Sequence, residues 1–186
     1  MWKVKTNWIA NYCKYTPLLA IGITISLTSF KLNNQVDTNA KIKSLFIYNF
    51  TKYIEWPVEK EQGNFVIGVI GDYPTLIQEL KTMAETRKKG SQTIEISILD
   101  GAQDINDCHI LFVESGKSNQ LPEVINKIKG KNILLVADGL GLAKKGAGIS
   151  FYDSESRQKM EINPQNVQKY QLKISSQLIA LATVVE

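Results

Sequence analysis

The sequence contains one histidine, His109, and it directly follows Cys108. A thiol beside an imidazole is the raw material for a nucleophile and its base. The stretch Cys108 to Glu114, however, reads as a strand, and strand neighbours point to opposite faces, so the two cannot share a proton. His109 reads as a strand-end residue with a satisfied ring; no Ser-His-Asp set can be completed without it, and no second ligand of its type exists for zinc. Three carboxylates, Asp72, Asp100 and Asp138, each follow a predicted strand. In a parallel sheet the strand carboxyl ends share one rim, where ligands usually bind. Adjacent there, they could hold Mg²⁺ as in a phosphorylated receiver domain, but that site needs paired acids after its first strand, and Tyr73 follows Asp72. Aspartate also ends strands simply because it caps turns. Asp72 and Asp138 are kept as candidates for a ligand rim. In "DGLGLAKKGAGISF", Gly139, Gly141 and Gly146 give G-x-G-x4-G, which is not the dinucleotide spacing. Gly141 to Gly146 has the P-loop gap, yet Ala147 stands where lysine must reach the phosphates. These glycines are read as turn formers. No catalytic residue, metal site, disulfide or cofactor is assigned.

The elements that would position these residues alternate. "NFVIGVIGD" is a buried strand. Pro74 to Arg87 is a helix with Leu76, Ile77, Leu80 and Met83 inward. "TIEISILD" sets Ile94, Ile96 and Ile98 against Glu95 and Ser97, a strand with one wet face. The strand holding His109 follows, then a helix over Gln120 to Ile128, the buried strand "NILLVAD", and a helical turn over Leu140 to Lys145. "GAGISFYDS" and "RQKMEI" form a hairpin across the polar turn Asp153 to Ser156, and helices over Pro164 to Tyr170 and Ser175 to Val184 close the chain. The expected fold is α/β with three layers: a mostly parallel central sheet, helices on both faces, and a late antiparallel hairpin.

One segment stands out. "KSLFIYNFTKYIEWP", Lys43 to Pro57, holds five aromatics in fifteen residues, against 9% for the chain. Asp37 or Thr38 can cap a helix here, and Pro57 stops it. Ile42, Leu45, Phe46, Asn49, Phe50, Tyr53 and Trp56 fall on one broad side, with Ser44, Thr51 and Glu55 opposite. So wide an apolar arc exceeds what a core contact needs, and Tyr48, Phe50, Tyr53 and Trp56 are candidates for binding a partner.

The chain has 186 residues, 44% hydrophobic and 22% charged, which suits one globular domain with an appendage. Its net charge of +4 sits mostly at the front: Lys3, Lys5 and Lys14 precede the first acid, Asp37. Without residues 1–30 the net charge is +1, so nucleic acid is not expected as a partner. Basic residues followed by the uncharged Tyr15 to Phe30 read as a signal peptide, or as an uncleaved anchor because no A-x-A cleavage pattern is present. Residues 31–39 read as a linker and 40–186 as the folded body. Cys13 lies before the apolar run, which leaves Cys108 unpaired in the body as a small buried hydrophobe.

"KIKSLFIYNFTKYIEWP", "FVIGVIGDYP", "DCHILFV", "ILLVADGLGLAKKGAGISF" and "INPQNVQKYQLKISSQLIALATVV" together resemble the YfiR-like family of periplasmic regulators. The resemblance runs from about Lys41 to Val185. Its most specific parts are Tyr48-Asn49-Phe50 with Glu55-Trp56-Pro57, and Ile174 to Leu178 near the end. It implies a non-enzymatic periplasmic protein that binds and inhibits the periplasmic part of an inner-membrane signalling enzyme, a diguanylate cyclase making cyclic di-GMP or a sensor kinase. A homodimer is compatible with that reading. Some members carry disulfides. Here Cys108 matches a cysteine position before "HILF" without its partner, so internal redox switching is not implied. The competing reading from the residues is a periplasmic small-ligand binding or sensor protein that uses the rim at Asp72 and Asp138.

Overall fold

The computed structural model describes residues 37–186. The proposed signal or anchor, and the linker up to residue 36, lie outside the described residues.

Helix α1 (Thr38–Tyr53) opens on Asp37, whose carboxylate accepts from the Ala40 amide at 3.0 Å. It ends three residues before Trp56. Ile54 closes it and enters strand β1 (Ile54–Glu55), which pairs antiparallel with β9 (Lys173–Ile174). Trp56 is therefore not on the helix. The main sheet uses β2 (Phe65–Ile70), β3 (Lys88–Lys89), β4 (Gln92–Leu99), β5 (Ile110–Val113), β6 (Leu134–Asp138), β7 (Ile149–Ser154), β8 (Arg157–Ile162) and β10 (Thr183–Val184). Their order is β10-β8-β7-β6-β5-β2-β4-β3. β4, β2, β5, β6 and β7 run parallel, while β8 returns antiparallel to β7. The expected α/β architecture with its late hairpin is the one found.

The chain moves from β2 outward to β4, then returns across β2 to β5 and proceeds the other way to β6 and β7. Right-handed crossovers in opposite directions put α2 (Pro74–Thr86) and α3 (Leu121–Lys127) on opposite faces. The reversal creates a switch point between β2 and β5, the place where such sheets commonly bind ligands. β2, β5 and β6 read as apolar runs because both faces are covered: Phe65, Ile67, Val69, Leu111, Phe112, Leu135 and Val136 are all buried.

Several elements differ from the sequence expectation. Leu140 to Lys145 makes hydrogen-bonded turns instead of a helix. The last helix, α5 (Ser176–Ile179), is a single turn, and the chain then extends into β10 parallel to β8. Ser175 caps it, its hydroxyl accepting from the Gln177 amide at 3.2 Å while its own amide donates to Tyr53 at 2.9 Å. Ser175 thus ties the end of α1 to the start of α5. α4 (Pro164–Lys169) lies where the spacing placed it, with Asn163 as its cap. The β7–β8 hairpin turns at Glu155 and Ser156, both with positive φ, the signature of a type I′ turn.

Candidate functional site

The first helix carries the main surprise. Its buried side is Ala40, Lys43, Ser44, Ile47, Phe50 and Thr51. Two hydroxyls expected to face solvent therefore face the core. Ser44 donates to the Lys41 carbonyl at 2.8 Å and Thr51 to the Tyr48 carbonyl at 2.7 Å, so each hydroxyl is satisfied within the helix and packs as a small apolar group. Four residues of the broad apolar side, Ile42, Leu45, Phe46 and Asn49, line an open depression of about 240 Å³. Leu45 is 51% exposed.

The four aromatic candidates separate. Phe50 is fully buried and stacks on Phe151, centroids 6.0 Å apart. Trp56 is buried, donates its indole N–H to the His109 carbonyl at 3.2 Å, and meets Phe65 edge-on at 5.1 Å. Neither ring can be presented to a partner, because each is spent on the core. Tyr48 and Tyr53 are half-buried. Tyr48 has Lys52 and Arg87 over its ring, at 4.7 and 5.4 Å from the centroid.

His109 is held from every side. Its Nδ1 accepts from the Val66 amide at 3.0 Å, so the proton must sit on Nε2, which donates to the Lys60 carbonyl at 2.8 Å. Phe65 stacks on the ring at 4.3 Å. Burial lowers its pKa. With both nitrogens committed to backbone groups, the ring fixes the start of β5. Burial pushes the Cys108 thiol up to about 12, far from nucleophilic.

The three aspartates do not converge. Asp72 and Asp100 end adjacent strands, β2 and β4, but Asp138 ends β6, with β5 between. Among the described residues no group of three His, Cys, Asp or Glu side chains is arranged to hold a metal ion. Asp138 receives the Lys43 ammonium at 2.7 Å in a pair whose side chains are only 5% and 13% exposed. Burial outweighs Lys43 and raises the Asp138 pKa. The Lys43 ammonium also lies 5.2 Å from the Tyr73 ring. Nearby, Thr75 donates to Asp37 at 2.7 Å and Asn39 to Asp153 at 3.3 Å. The front of α1 is thus clamped to the ends of β6, β7 and α2. Asp138, one of the two rim candidates, is consumed by this clamp.

Asp72 remains at an open cleft of about 450 Å³, with Ile77, Ile98 and Leu99 as apolar lining and Asp100 and Lys117 at its edge. Ile98, expected to be inward, is 51% exposed and forms part of that lining. The switch point itself is filled. A Cβ on Gly71, whose φ is +113°, would stand 2.6 Å from Glu114 Cβ. Glu114 in turn accepts from the Gly116 amide at 2.8 Å and the Ser115 hydroxyl at 2.6 Å. The glycine loop is likewise self-satisfied: the Gly141 amide donates to Glu161 at 2.8 Å, as does Ser150 at 2.9 Å. Gly139, Gly141 and Gly146 all have positive φ, in keeping with turn formation.

The YfiR/HmsC-like family model matches residues 40–183. The chain belongs to the YfiR/HmsC-like family. No curated protein matches the sequence. Among solved structures, an ABC domain from Streptococcus pneumonia in complex with L-Trp is similar, with a TM-score of 0.55 and 14% identity. The match covers 79% of this chain and 60% of that one, so this chain spans less than two thirds of its structural neighbour. That likeness concerns the α/β fold. Family members of this kind are periplasmic regulators rather than enzymes, with a signalling protein as partner. Among the described residues no helix is long and apolar enough to cross a membrane.

Proposed function

We propose that this protein works outside the cytoplasm, binding the periplasmic part of an inner-membrane signalling enzyme, a diguanylate cyclase or a sensor kinase, and holding it inactive. The observation that carries this reading is the family match over residues 40–183. The exposed apolar side of α1 supports it, since a docking protein needs a surface its own fold does not bury. Such a regulator needs no catalytic group. It has only to bind the inactive state of its partner more tightly than the active one, and a preference of about 5.5 kcal/mol moves a two-state equilibrium from 1:99 to 99:1. The test is to delete the gene, measure cyclic di-GMP and kinase output, and restore the exported protein. Output should rise on deletion and fall on restoration. Unchanged output in both arms, with the protein present and folded, would refute the reading.

A second reading is favoured by the cleft at Asp72. Its size, apolar lining and opposed charges from Asp72, Asp100 and Lys117 suit a small amphiphilic molecule with both a cationic and an anionic group. The streptococcal neighbour was solved with L-Trp, which makes aromatic amino acids the first probes. A ligand that binds only the folded form raises the melting temperature, by RT ln(1 + [L]/Kd) in free energy. Asp72→Asn with Lys117→Gln should abolish that rise.

A further inference from the structure

The depression over Ile42, Leu45 and Asn49 does not end at Phe46. On the far side of that ring a second hollow of about 260 Å³ is lined by Phe46, Met160, Lys159 and Leu181. Leu181 is 62% exposed. Phe46 is common to both, so the two hollows adjoin in one groove, apolar over α1 and more polar beside β8 and β10. The exposed charges beside its apolar part are basic, while the acid Asp153 sits at the first turn of α1, bonded to Asn39. α1 carries no acidic residue between Thr38 and Tyr53. Lys41 and Lys52, one turn before and two turns after Leu45, are exposed along one flank, and exposed Lys159 stands on the other. An apolar hollow flanked by lysines complements a helix with an apolar ridge and acidic residues beside it.

We infer that this groove, rather than the aromatic ring set of the same segment, is the docking surface, and that its occupant is an acidic amphipathic helix of the partner protein. The inference rests on the regulator reading and specifies where and with what chemistry it operates. Leu45 and Phe46 supply the apolar anchor, and Lys41, Lys52 and Lys159 select for negative charge and speed encounter.

The test places p-benzoylphenylalanine at Leu45 of the full chain in living cells, with the same probe at exposed Thr93 on β4 as control. After illumination the adducts are mapped by mass spectrometry. The expected result is an adduct from Leu45, absent from Thr93, on a periplasmic helix of an inner-membrane signalling protein with Asp or Glu flanking its apolar ridge. Lys41→Glu with Lys52→Glu should lower its yield at least tenfold while the protein still unfolds in one transition, the melting temperature falling only by the little that Lys52 contributes over the Tyr48 ring and at the helix end. Raising salt should weaken capture in the same direction. Adducts to a second copy of this chain, to lipid, or to a helix without acidic flanks overturn the inference. So does a yield that the double charge reversal leaves intact. If the signalling protein still co-purifies while Leu45 gives no adduct to it, the groove is wrong and the regulator reading stands. If no such protein co-purifies and cellular output ignores the deletion, the regulator reading itself fails.

Discussion

Replacing Lys43 with methionine tests what holds the first helix in place. Methionine keeps most of the apolar stem and removes the ammonium that faces Asp138 at 2.7 Å. Lys43→Met leaves a carboxylate in a site where its side chain is 13% exposed. Breaking one side of a buried pair usually costs about 3–5 kcal/mol. A tighter ceiling follows from protonation. A carboxylate with an ordinary pKa near 3.9 can be neutralised at pH 7 for about 4 kcal/mol, and at pH 5 for about 1.5. The abandoned Asp138 cannot cost more than its own neutralisation, so the loss should be about 3–4 kcal/mol at pH 7 and about 1.5 at pH 5. For a folded body of this size that is roughly 8–12 °C at neutral pH and roughly 3–5 °C at pH 5. The sign is fixed by linkage: the folded-state pKa of Asp138 is raised, the folded form binds the extra proton, and stability grows as pH falls. Differential scanning calorimetry at both pH values reads this directly. Lys43→Met with Asp138→Asn should recover most of the loss, because no buried charge is left alone. Equal losses at pH 5 and pH 7, or a double variant as unstable as the single one, would refute the clamp and leave lost packing as the cause.

His109 has the opposite pH dependence. Its folded pKa is lowered by burial, so its contribution is complete above about pH 6.5 and is lost as pH falls from there toward the folded value; melting temperatures between pH 7.5 and 5.5 should fall more steeply in the unaltered protein than in His109→Gln. Gly71→Ala should cost at least about 2 kcal/mol in urea unfolding, since the new Cβ would lie 2.6 Å from Glu114 Cβ at a φ of +113°. Ser175→Ala should cost about 1 kcal/mol through loss of the α5 cap, and it should spare the Tyr53 contact, which uses the Ser175 backbone. A Ser175→Ala loss above about 3 kcal/mol would show that the hydroxyl does more than cap.

The sheet was legible because buried parallel strands leave uninterrupted apolar runs such as Phe65 to Ile70 and Leu134 to Ala137. The phase of α1 was not. Both sides of that helix are rich in apolar residues, and the side chosen by the core contains Lys43, Ser44 and Thr51. Those residues are admissible only because of bonds that a periodicity does not display: two hydroxyls turned back on their own helix, and a lysine met by an aspartate 95 positions on. The helix end was misplaced for a similar reason. Pro57 is the visible stop signal, but Ile54 leaves earlier to pair with Ile174. At the rim, Asp72 and Asp138 look equivalent in sequence, each closing a strand. Only the order of the sheet, with β5 between them, and the position of Lys43 show that one borders a cleft while the other is occupied.

The first helix packs on α2 but finds several of its fixing partners on the sheet's far half and on the tail late in the chain. Asn39 waits for Asp153, Lys43 for Asp138, Phe50 for Phe151, and the strand after it for Lys173 and Ile174. A polypeptide delivered front end first therefore exposes this segment long before those late partners exist, and contacts so distant in sequence form slowly. For a protein proposed to pass through a membrane before it works, that order is an asset. The last bonds that fasten the first helix wait for Lys173 and Ile174, so a chain still being threaded has yet to gain them.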